Sequence, residues 1–174
     1  MNKNTSIIRA TEAELPAIAD LLNRSYRGES SRKGWTTEAD LISGNVRTDL
    51  EDVTRTLQKP GSIFLICRSN TGDLIGCVNL QQHGARLYLG MFAVSPEEQG
   101  KGTGGLLMDA AEDWGRDTGC GSVYMWVISL RKELIGWYQR KGYTDTGERI
   151  PFREDGLSGK HLLPLTFLVL EKKI

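Results

Sequence analysis

The sequence predicts a mixed α/β fold, a central, mostly antiparallel sheet flanked by helices, and three observations carry that expectation. Short stretches such as "SIFLICRS", "LIGCVNLQ" and "RLYLGMFAV" are apolar runs or alternations bounded by turn residues, which suits strands buried on one or both faces. Other stretches place apolar residues three and four apart, the spacing of a helix with one buried face. The two patterns interleave without repeats or low-complexity tracts, so a single domain over residues 1–174 is expected.

Taken in order, "SIIRA" makes a short first strand, and Thr11 with Glu14 has capping-box spacing before a helix carrying Leu15, Ile18, Leu22 and Tyr26. Pro16 leaves the start of that helix undefined by a turn. The polar, glycine-punctuated "YRGESSRKGWTTEAD" reads as a loop of the kind that often carries binding residues. It enters a helix marked by Leu50, Val53 and Leu57, which ends before Pro60. Three antiparallel strands follow, joined by "NTGD" and by a turn around His83 and Gly84. Leu106, Leu107, Ala110, Ala111 and Trp114 then mark one face of a helix ending at Gly119, and its crossover makes "SVYMWV" parallel to the preceding strand. A helix from about Leu130 to Lys141, closed by Gly142, leads through an irregular "TDTGERIPFREDG" to closing strands in "HLLPLTFLVLE".

Composition narrows the function classes. Lys plus Arg and Asp plus Glu number 22 each with no block of one sign, so neither nucleic acid nor an anionic membrane is an expected partner. Cys67, Cys77 and Cys120 lack C-x-x-C spacing, and Cys67 and Cys77 sit in apolar runs, which predicts buried thiols in a reducing compartment. The first residues have no signal-like apolar core and "LLPLTFLVL" is too short to span a bilayer, so a cytoplasmic protein is expected. His83 and His161 lack metal-ligand spacing, and no metal is expected.

The most informative stretch is "VSPEEQGKGTGGLLM", residues 94–108. Gly100, Gly102 and Gly105 fit G-x-G-x-x-G, yet a dinucleotide loop follows the first strand and is answered by a carboxylate about 20 residues on. Here the loop follows the fourth strand and "CGSVYMWV" has no Asp or Glu. A triphosphate loop needs Lys-Ser or Lys-Thr after its last glycine, and neither is present. What remains is a strand, an acidic turn and a run of peptide N–H groups opening a helix, a place for a pyrophosphate or for nothing but solvent.

These residues resemble the GNAT N-acetyltransferase superfamily. "FAVSPEEQGKGTGGLLMDAAEDW" is similar to its acyl-CoA motif Q/R-x-x-G-x-G/A, met by Gln99, Gly102 and Gly104, and "LIGWYQRKGY" is similar to its Y-x-x-x-G-[FY] segment. The order of elements over nearly the whole chain is also the family's order. The resemblance implies splayed fourth and fifth strands, with acetyl-CoA as co-substrate along Phe92, Ala93 and Val94. Its pyrophosphate would lie on the loop Gln99, Gly100, Lys101, Gly102, Thr103, Gly104 and Gly105.

The implied reaction is acetyl transfer to a primary amine of a small molecule or peptide by direct attack in a ternary complex. Deprotonating an alkyl ammonium of pKa about 10.4 at neutral pH costs about 4.6 kcal/mol, so a base or water relay is expected. The resemblance assigns Tyr138 as the acid at the departing sulfur. Without it, Leu130, Leu134 and Tyr138 would read as one packed stripe. Two departures stand out: where many members carry an asparagine seven residues before the tyrosine this chain has Arg131, and the fourth strand offers no glutamate base. Tyr88 suits a water relay or simple packing. By position, Tyr26, Trp35, Glu38, Arg47 and Phe152 are acceptor-side candidates, with Trp35 walling a pocket and Glu38 attracting an ammonium. The alternatives are a non-catalytic acyl-CoA-binding module and a nucleotide-dependent oxidoreductase. Exposed sheet edges allow a homodimer without requiring one.

Overall fold

The computed structural model describes residues 5–174. Its centre is one seven-stranded sheet made of β1 (Ser6–Arg9), β2 (Ser62–Arg68), β3 (Leu74–His83), β4 (Arg86–Val94), β5 (Ser122–Ile128), β6 (Thr144–Pro151) and β7 (Thr166–Lys173). The spatial order is β1-β2-β3-β4-β5-β7-β6, and β4 with β5 is the parallel pair in an otherwise antiparallel sheet. Helices cover both faces, as the apolar run of β2 requires, since all its residues but Arg68 are buried.

One face carries α1 (Leu15–Tyr26) and α3 (Leu50–Gln58), where Ile18, Leu22 and Val53 pack on Phe64, Ile66 and Cys77. The other carries α4 (Thr103–Asp117) and α5 (Lys132–Arg140), packed through Leu107, Met108, Ala111 and Tyr138 against β2 to β5 and β7. Local signals account for the ends of these helices. Thr11 and Glu14 form the capping box, which closes a single 3₁₀ turn that runs into α1 with Pro16 in its first turn. Asp49 caps α3, and Gly119 and Gly142 take φ of +83° and +98° just past α4 and α5. Cys67, Cys77 and Cys120 are buried free thiols. No helix among the described residues is long and apolar enough to cross a membrane.

The structure differs from the sequence expectations in three places. The loop after α1 contains a one-turn helix, α2 (Gly28–Ser31). The segment read as irregular contains β6, an exposed edge strand held mainly by backbone pairing with β7, and residues 161–165, read as strand, are not in one. Leu106, expected on the buried face of α4, is 46% exposed.

Candidate active site

The two parallel strands pair only at Arg86–Ser122, Leu87–Val123 and Tyr88–Tyr124 and then part. A bulge helps: Cys77 faces Ala93 and Asn79 faces Gly90, so Met91 and Phe92 together oppose Val78, with Met91 at φ +44°. Such a bulge bends its strand and ends pairing locally. Gly90 permits the bend to be filled, because a Cβ there would lie 2.8 Å from the ring of Tyr88. Tyr88 is thus a packed aromatic at the point of divergence, against Tyr124 and Trp126.

Beyond Tyr88 lies a cleft of about 480 Å³, walled by Phe92, Ala93 and Val94 of β4 and by Leu134, Trp137 and Tyr138 of α5. At one end stands the glycine loop. Gly100 and Gly102 have φ of +78° and +93°, and a Cβ at either would meet nothing within 4 Å, so both border open space. Gly102 is the N-cap of α4 with no side-chain cap, leaving the first N–H groups of the helix free for an anion. These residues fit a pyrophosphate. Gly100, Gly102, Gly104 and Gly105 line the cleft as expected, but two loop side chains do not. Lys101 pairs with Glu98 at 3.3 Å, and Thr103 is buried with its methyl beside Gly76. The cation at this end is Lys141, which lines the cleft next to Gly105 and over the Trp137 ring. Sequence reasoning passed over Lys141 because the helical spacing that brings it back to the loop depends on how α5 docks.

Gln99, the first residue of the acyl-CoA motif, acts as a tie. Its Nε2 donates to the Val94 carbonyl at 3.1 Å and its Oε1 accepts from the Thr36 N–H at 3.2 Å. The loop after α1 is thereby pinned to the edge of β4. Tyr26 does the same from α1, its hydroxyl donating to the Phe92 carbonyl.

Trp35 lines the cleft and is 50% exposed, which suits a wall better than an anchor. Trp35→Ala is expected to raise the acceptor KM about threefold to tenfold while shifting stability by less than about 0.5 kcal/mol. Steady-state kinetics beside thermal unfolding check it, and a loss of stability alone would mean an anchor. Glu38 departs from expectation. It is buried at 7% exposure, outside the cleft wall, and its oxygens accept from Arg27 and from Arg131, the latter at 3.0 Å. Burial pushes its carboxyl up, but Arg131 and Arg27 outweigh that and hold it below the usual carboxylate range. A carboxylate so committed is not open to attract an ammonium. Arg47 lies over the Tyr26 ring, whereas Phe152 packs with Phe167 in a separate small cluster.

Tyr138 unites both sequence readings. It is buried in the main core, yet its residue lines the cleft, 6.4 Å from Phe92 ring to ring, and its hydroxyl makes no hydrogen bond among the described residues. Burial pushes its phenol pKa up, so it is protonated at neutral pH.

A divergent parallel pair and a glycine loop opening a helix are the features that the resemblance to the acetyltransferase superfamily implies, and a bulged strand edge accompanies them. The family model "Acetyltransferase (GNAT) family" matches residues 15–143, and the chain belongs to that family. Human N-acetyltransferase 8B is 27% identical over 125 residues, 68% of this chain and 53% of that protein, so the chain spans about half the length of the curated relative. Among solved structures, the ribosomal-protein-S18-alanine N-acetyltransferase of Escherichia coli superposes with a TM-score of 0.73 at 14% identity, covering 98% of this chain and 94% of that one. The yncA protein of Salmonella typhimurium, solved with acetyl-CoA, gives 0.70 at 19% identity, covering 98% and 94%. At such identities the likeness is one of fold.

Proposed function

We propose that the chain is an N-acetyltransferase that moves an acetyl group from acetyl-CoA to a primary amine of a small molecule or peptide, by direct attack with both substrates bound. The observation that carries this reading is one continuous cleft joining an uncapped helix N-terminus to the side chain of Tyr138, along a strand edge that has left its sheet partner. The acetyl-CoA in the yncA structure supports the choice of co-substrate.

When bound, acetyl-CoA supplies an activated thioester. The N–H groups of Gly100 to Gly105 hold its pyrophosphate, with Lys141 adding charge at the rim. The edge of β4 past Tyr88 pairs with the pantetheine amides as an added strand would. The Phe92 and Val94 carbonyls can take part, because each keeps a second lone pair after the bonds from Tyr26 and Gln99. Phe92 and Trp137 screen the thioester from water, and Tyr138 donates to the sulfur as the carbon–sulfur bond breaks. An acyl-cysteine route is disfavoured for Cys77, whose thiol burial pushes up to about 12.

The test is thermal unfolding with acetyl-CoA, CoA and NADH in parallel, followed by CoA release with an amine panel. Either CoA species at 100 times its Kd should stabilise the fold by about 2.7 kcal/mol, roughly 5–11 °C, with no shift from NADH. A shift from NADH alone would overturn the reading. Binding of acetyl-CoA without turnover of any amine would instead favour a non-catalytic acyl-CoA-binding module.

A further inference from the structure

The acceptor end of the cleft is more cationic than an amine-binding site would need. Three guanidinium groups, those of Arg27, Arg47 and Arg131, surround a buried carboxylate, Glu38, and of these side chains Arg131 lines the cleft itself. Arg27 is 2% exposed and is consumed by Glu38 and the Ser158 carbonyl. Arg131 is 6% exposed, lines the cleft, and uses its two terminal nitrogens on Glu38 at 3.0 Å and on the Thr36 hydroxyl at 2.6 Å. Its Nε, though buried, has no partner, and neither does the buried hydroxyl of Ser25, which also lines the cleft. Buried polar atoms are rarely left so, and two orphans on residues that line one cleft mark a polar environment behind its wall.

Arg47 completes the picture. Its guanidinium makes no hydrogen bond or ion pair among the described residues and stands 4.9 Å from the centre of the Tyr26 ring, with that of Arg131 at 5.7 Å from the same centre. Tyr26 lines the cleft, so an unpaired cation and a half-satisfied one flank one aromatic wall of the acceptor side. The nearby carboxylates do not cancel this charge. Glu38 is matched twice over, Glu133 is exposed to solvent and accepts from the Thr36 hydroxyl, and Asp109 lines the cleft on α4 rather than on this wall.

We infer that the acceptor is an amine bearing a carboxylate close to its nucleophilic nitrogen, with the carboxylate drawn to the Arg47 and Arg131 guanidinium groups beside Tyr26. This rests on the acetyl-transfer reading of the same cleft and names its substrate class. Guanidinium groups match a carboxylate's paired oxygens. An acceptor bearing a second cation would meet the same groups as repulsion, and Glu38 is not available to offset it. The apolar part of the acceptor would lie against Tyr26, Trp35 and Phe92.

The experiment compares acetyl transfer, by CoA release, to phenylalanine and phenylalaninamide, to methionine and methioninamide, and to spermidine. Each carboxylate is expected to show a kcat/KM about tenfold or more above its carboxamide, expressed mainly in KM. The carboxamides are the less basic amines and lose their proton more readily, so this preference would run against intrinsic reactivity. Arg47→Gln should bring the ratio close to one while leaving the KM for acetyl-CoA and the unfolding midpoint in place. Equal or better turnover of the carboxamides or spermidine, or a ratio indifferent to Arg47→Gln, overturns the inference and leaves acetyl transfer standing. Absence of turnover with every amine, despite a thermal shift from acetyl-CoA, overturns both.

Discussion

Tyr138→Phe is expected to lower kcat by about 100-fold or more while leaving the KM for acetyl-CoA and the unfolding midpoint nearly unchanged. The reasoning begins with the hydroxyl's surroundings. It makes no hydrogen bond among the described residues and its ring packs against Phe92, Trp137 and Tyr143, so phenylalanine keeps the packing and removes no native bond. A purely structural tyrosine would therefore tolerate the change, and so would the fold. The chemistry would not. Because burial raises the phenol pKa further above that of a thiol, complete proton transfer to a leaving thiolate is uphill. The hydroxyl then acts as a donor to the charge growing on sulfur, the proton lost by the attacking amine remaining available to the thiol. Removing one such donor in a water-poor site costs about 2.7–4 kcal/mol of transition-state stabilisation, or 10²–10³ in kcat. Single-turnover rates of CoA release from the loaded variant give the readout, and an unchanged rate would return Tyr138 to the core.

How much of this was legible in the sequence follows from which interactions are local. Thr11 with Glu14, Gly119 and Gly142 act within a few residues of themselves, and each helix boundary they mark is found where expected. The divergence of β4 and β5 was reached only through the family resemblance, since neither strand's pattern says where pairing stops. Edge strand β6 was missed because only Ile150 is even partly buried, so no alternation of apolar residues betrays it. The sequence showed Glu38 beside an aromatic in a polar loop and suggested an open anion. Its partners lie 11 and 93 residues away, and nothing local reports them. Arg131 was visible as a departure from the family's asparagine. What that departure does became clear only when the fold brought it to Glu38, Thr36 and Tyr26.

That same cluster sets the largest expected effect on stability. Glu38→Gln should destabilise the protein by about 3–5 kcal/mol, because it leaves Arg27 and Arg131 buried without a counter-charge. For a chain of this length the midpoint should fall by roughly 6–20 °C. The loss is not confined to one pair. Arg27 reaches from the end of α1 to the Ser158 carbonyl, and Arg131 from the start of α5 to Thr36, so Glu38 is where three segments around the acceptor side are fastened together. The pH dependence supplies an independent check. Glu38 is held below its unfolded value of about 4.3, so its contribution is fully present above that pH and disappears as pH falls through the lower folded value. Wild type and Glu38→Gln should therefore differ by a constant amount from pH 7 to about 5 and converge in acid. A double-mutant cycle with Arg131→Gln separates fastening from mere bulk: a coupling of about 1–3 kcal/mol is expected between the two sites, and strict additivity would mean that each side chain acts on its own.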